Sequence, residues 1–67
     1  MMTLKLQNDL KFYMLTIHES DELAEDQTQE YIDKFSKLGK YDQMLTDQII
    51  QLDGWEYGID KIDSLYD

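Results

Sequence analysis

Sixty-seven residues without a single Cys set out one small domain, which at this size buries only about 60% of its unfolded surface and has neither a disulfide nor a thiolate zinc site to staple it. Fifteen acids against six Lys give a formal net charge of -9, which excludes a direct binder of nucleic acid or anionic membrane, because both present phosphate and need cations opposite it. With no Pro, three Gly, and five Tyr, two Phe and one Trp in a 42% apolar composition, the chain favours packed helices over a turn-rich β fold or a disordered acidic tail.

Residues 1–18 hold Lys5 and Lys11 against Asp9 and are the only stretch with a positive sum. Leu6, Leu10, Tyr13, Met14 and Ile17 recur at helical intervals and predict an amphipathic helix. A hairpin competes with it, with 3–7 pairing with 10–17 across Asn8-Asp9, since Phe12, Tyr13, Thr16 and Ile17 are strand-prone. The start lacks a basic n-region and an apolar h-region, and the longest apolar run, 12–15, is far short of a membrane span. The expected location is therefore the cytoplasm.

The stretch 19–38 carries the densest acids and the clearest helical period. Ala24, Thr28, Tyr31, Phe35 and Leu38 gather on one side of a wheel as a core stripe. Glu19, Glu22, Asp26, Glu30 and Asp33 gather on nearly the opposite side as an acid ridge, rising roughly 21 Å along the axis. Ser20 or Asp21 supplies an N-cap, acids fill the first turns, and Lys34 and Lys37 close the last turn before Gly39. A charge run is ordinarily a solvated face. Here no cation interleaves between Glu19 and Asp33, so i,i+4 pairing does not account for the pattern and the carboxylates repel one another.

After Gly39, the residues Tyr41, Met44, Leu45, Gln48, Ile49 and Leu52 predict a third helix ending at Asp53-Gly54. A connection this short makes it a hairpin or steep-angle partner of the second helix. Its polar face, Asp42, Gln43, Asp47 and Gln51, would repel phosphate, so any likeness to a DNA-reading pair is geometric only. In the tail, Trp55, Ile59, Ile62 and Leu65 or Tyr66 predict a closing helix with Asp60 and Asp63 outside, weakened by Gly58. The expected fold is all-α, a single domain over 1–67 of three or four short helices, with the hairpin at 3–17 followed by helices as the alternative. The expected core is Leu10, Met14, Ile17, Tyr31, Phe35, Leu45, Ile49, Leu52, Trp55 and Ile62.

No constellation predicts catalysis. His18 and Glu22 stand one helical turn apart, but a zincin site needs a second His, and the chain has one. There is no nucleophile turn and no Gly-rich phosphate loop, and Asp53-Gly54 lacks the ligand spacing of a calcium loop. The expectation is a non-enzyme without metal or cofactor. It would bind by presenting Glu19, Glu22, Asp26, Glu30 and Asp33 to a protein with a basic, nucleic-acid-binding surface. In small size, acidity and lack of catalytic residues the chain resembles the DNA-mimic and anti-defence proteins that phages encode, a likeness of overall character that carries no motif. The alternative is an adaptor or regulatory module, expected as a homodimer, that docks through Tyr41, Trp55, Tyr57 and Tyr66.

Overall fold

The computed structural model describes residues 2–66 and contains four helices, with no strand among the described residues. They are α1 (Leu4–Ile17), α2 (Asp21–Lys37), α3 (Lys40–Asp53) and α4 (Trp55–Tyr66). The protein is thus an all-α bundle. The alternative hairpin does not form: Asn8 and Asp9 lie inside α1 rather than at a turn. Asn-Asp is a weak turn signal, and Thr3 outcompetes it by accepting the Leu6 amide at 3.2 Å to start the helix.

Ser20 caps α2 in the same way, accepting the Leu23 amide at 3.3 Å. Ser20 is thus one of the two expected N-caps, and Glu19, expected on the ridge, lies before the helix. Only Leu38 and Gly39 join α2 to α3, and only Gly54 joins α3 to α4. Gly54 sits at φ 100°, a conformation that side chains with a Cβ rarely adopt, which is what lets one residue reverse the chain.

Along the bundle α1 packs on α2, α2 on α4, and α3 on α4. The core holds Met2, Leu6, Leu10, Met14, Ala24, Tyr31, Phe35, Ile50 and Ile62, with Tyr13, Ile32, Leu38, Trp55 and Ile59 packed around it. Five expected core residues, Leu10, Met14, Tyr31, Phe35 and Ile62, are buried. Leu45, Ile49 and Trp55 are half-buried. Ile17 and Leu52 are corrections, being 53% and 83% exposed. Ile17 is the last residue of α1, about one turn beyond the buried Met14.

Leu52 is exposed for a different reason, because α3 is rotated from its expected orientation by one residue, about 100°. Its buried positions are Thr46 and Ile50. Polar groups hold this face inward without cost: Thr46 Oγ1 donates to the Asp42 carbonyl at 2.8 Å. Gln43 Nε2 donates to the Phe35 and Leu38 carbonyls, both at 3.1 Å, at the end of α2, where the Phe35 carbonyl also accepts the Leu38 amide at 3.1 Å.

A polar clamp joins α2 to α4. Tyr31 donates its hydroxyl to Asp63 Oδ2 at 3.0 Å, and Lys34 Nζ reaches Asp63 Oδ1 at 3.5 Å and Glu30 Oε2 at 3.3 Å. The Lys34 ammonium also lies 4.9 Å from the Tyr31 ring centre and 5.4 Å from that of Tyr66. Asp63 was expected on the outside; it is instead a half-buried joint.

Candidate functional site

The acid ridge exists on α2 with four members. Because Ala24, Thr28, Tyr31 and Phe35 are buried, the opposite side of the helix carries Glu22, Asp26, Glu30 and Asp33 outward, and all four are exposed. They rise about 17 Å along the axis from first to last. Glu19 is exposed as well, but it belongs to the connection after α1 and does not continue the helical row.

The ridge is not uniformly unpaired. Lys34 sits one turn beyond Glu30, immediately after the cation-free span 19–33, and forms with it an i,i+4 pair at 3.3 Å, so i,i+4 pairing does reach the end of the ridge. Asp33 accepts a hydrogen bond from Gln29 Nε2 at 3.0 Å. Beside the ridge, Glu25 pairs with Lys11 of α1 at 3.3 Å. Among the described residues Glu19, Asp21, Glu22, Asp26 and Asp33 form no ion pair. The negative field is thus concentrated on the first half of α2, where Asp21 and Glu22 also complement the helix dipole.

Lys34 carries its charge more firmly than a free lysine. Burial acts to lower its pKa, but the hydrogen bond and attraction to Glu30, then Tyr31 and Asp63, outweigh it and the pKa is raised. Tyr31 is raised too, by burial first and then by its hydrogen bond to Asp63.

The alternative aromatic set is not brought together. Tyr41 and Tyr57 are separately exposed, whereas Tyr66 covers Lys34 and Lys37 on α2. Trp55 lines a groove against α1. No family model matches the chain, and no curated protein or solved structure is detectably similar to it.

Two surfaces escaped the sequence reading. One is the outward stripe of α3, where Leu52, expected in the core, lies exposed with Met44 and with Tyr41, which was expected as a docking aromatic. The other is Phe12, 70% exposed beside Trp55. Its position off the Leu6-Leu10-Met14 stripe of α1 was the available signal. His18 ends α1, its backbone amide donating to the Met14 carbonyl at 3.0 Å. No three His, Asp or Glu side chains among the described residues are grouped to hold a metal ion.

Proposed function

We propose that this protein is a non-enzymatic inhibitor that lays the carboxylates of α2 on a basic surface of a target protein and occupies the place of nucleic-acid phosphates there. The observation that carries this reading is the row Glu22, Asp26, Glu30 and Asp33, exposed on the side of α2 that packs against nothing. Members four residues apart rise about 6 Å, close to two phosphate steps of about 3.4 Å along one DNA strand. A phage anti-defence protein of the DNA-mimic type, acting in the cytoplasm, fits this chemistry. No helix among the described residues is long and apolar enough to cross a membrane.

The decisive variant combines Glu22→Gln, Asp26→Asn and Asp33→Asn, which leaves the Glu30–Lys34 pair in place. The parent should capture a basic protein from bacterial lysate at low salt and release it along a salt gradient. The variant should lose that capture while its melting temperature holds or rises slightly, since repulsion is relieved. Equal capture by the variant at low salt would reduce the ridge to a solvated face.

The exposed stripe of α3 supports a second reading, a homodimeric adaptor that docks through apolar surface. Tyr41 and Leu52 are 67% and 83% exposed on one side of that helix. In this reading sedimentation gives a dimer that Tyr41→Ser with Leu52→Ser dissolves, and binding is insensitive to salt.

A further inference from the structure

We propose that the groove between α1 and the α3–α4 turn is a docking site for a basic amphipathic segment of another protein, which seats a large apolar side chain against Phe12, Tyr13 and Trp55 and places a neighbouring Lys or Arg at an acidic rim. The groove measures about 440 Å³, with Leu6 and Ile50 among its lining residues and Asp9 its one charged group. No cation lines it. It exists because α1 packs mainly on α2 and α3 on α4, leaving α1 and the α3–α4 pair loosely joined.

Two features select the occupant. Five of the eight lining residues, Leu6, Phe12, Tyr13, Ile50 and Trp55, are apolar or aromatic beside Asp9, Thr16 and Gln51, and Phe12 stands 70% exposed, so a large apolar group gains by entering, and aromatic faces also attract cations. The surrounding charge is negative. Glu56 and Asp60 of α4 lie near enough to Tyr13 that, after burial, they help to raise its hydroxyl pKa. Lys11 is turned away toward Glu25 on the α2 side, and Lys5, one turn before Asp9, forms no ion pair with it.

Anionic lipid and nucleic acid are repelled by this rim, and the groove is too open to enclose a small neutral ligand. A second copy of the chain would bring fifteen further acids. A helical segment with apolar anchors and Lys or Arg beside them satisfies both features, the helix-in-groove mode of recognition. The site shares with the α2 ridge a preference for basic partners, yet it rests on different residues and stands without that reading.

The test uses the full chain and a synthetic helical peptide of Leu and Lys without Trp, so that the protein's one Trp reports alone. Two control peptides replace every Lys by Glu or every Leu by Ser. The Leu/Lys peptide should shift Trp55 emission to the blue, saturably, and bind at least about ten-fold more tightly than either control. Phe12→Ala should weaken it by about ten-fold or more with the melt unchanged, and Thr16→Arg, which puts a cation into the groove, should do the same. The three-residue ridge variant should weaken it by less than about three-fold.

Equal binding of either control peptide, no change in Trp55 emission, or indifference to both Phe12→Ala and Thr16→Arg overturns the assignment. If only the ridge variant abolishes binding, the peptide lies on α2, which overturns the groove and spares the ridge. A sedimenting dimer that Phe12→Ala dissolves would give the groove to a second copy and overturn it equally.

Discussion

Tyr31 shows how one side chain can serve both the core and a polar joint. Its ring lies in the interior while its hydroxyl donates to Asp63, 3.0 Å away on α4. Burial first and that hydrogen bond second raise its pKa from the ordinary 10.0, and Tyr13 and Lys34 are raised as well. All three therefore contribute stability that is full below their unfolded pKa values and is lost as pH climbs through the folded ones. The melting temperature should begin to fall as pH rises above about 10. Tyr31→Phe should cost about 1 kcal/mol at neutral pH and soften the alkaline loss; an unchanged alkaline slope would show that the joint does not titrate with the fold. The ring of Tyr31 was legible from its helical stripe. Its bond to Asp63 was not, because the two are 32 residues apart and no local pattern links them.

At the level of the helices, α3 marks where sequence reading fails. The spacing of Tyr41, Met44, Leu45, Ile49 and Leu52 identifies a helix and its end at Asp53-Gly54 correctly, since periodicity is a property of the helix itself, although at 14 residues it is longer than the two or three turns expected. Which side faces inward depends on neighbours: Gln43 reaches the end of α2, and Gly58 of α4 lies over Ile50. A Cβ on Gly58 would overlap Ile50 Cγ1 and stand 3.2 Å from its Cδ1. Gly58, read from sequence as a weakness in α4, is the point of close approach between the two helices.

Two effects then oppose each other in Gly58→Ala: about 1 kcal/mol of helix propensity gained and about 1–3 kcal/mol of overpacking lost. The variant should be destabilised by about 1 kcal/mol in denaturant melts. In an Ile50→Ala background, itself costing about 2–5 kcal/mol, the same change should become stabilising, because the obstructing carbon is gone. Leu52→Ser should move stability by no more than about 0.5 kcal/mol. A loss of several kcal/mol there would restore the orientation expected from the apolar stripe.

For the whole molecule, the compositional reading carried furthest. Absence of Pro with only three Gly favoured helices over a turn-rich β fold, and four helices account for the described chain. The ridge was legible because exposure follows from the helical period once Tyr31 and Phe35 are inside. The groove was not, being made by three helices at once. A net charge of -9 with three ion pairs among the described residues, each exposed enough to add little, leaves repulsion spread over the surface. Raising salt from about 0.01 M to about 1 M shortens the screening length from about 30 Å to about 3 Å. The melting temperature should rise over that range, and a fall would mean that the ion pairs outweigh the repulsion.

The order in which the helices pack also sets how the chain reaches this state. α1 meets α2 across three residues and α3 meets α4 across one, so each hairpin closes over a short loop at small entropic cost. Contacts this local place folding in the microsecond-to-millisecond range. The seam between α2 and α4, which the bond from Tyr31 to Asp63 spans, joins residues far apart in the chain and should form after the two hairpins. Weakening that seam should chiefly hasten unfolding and leave the folding rate nearly unchanged, so the lifetime of the folded state rests on a joint that contributes little to the speed of making it.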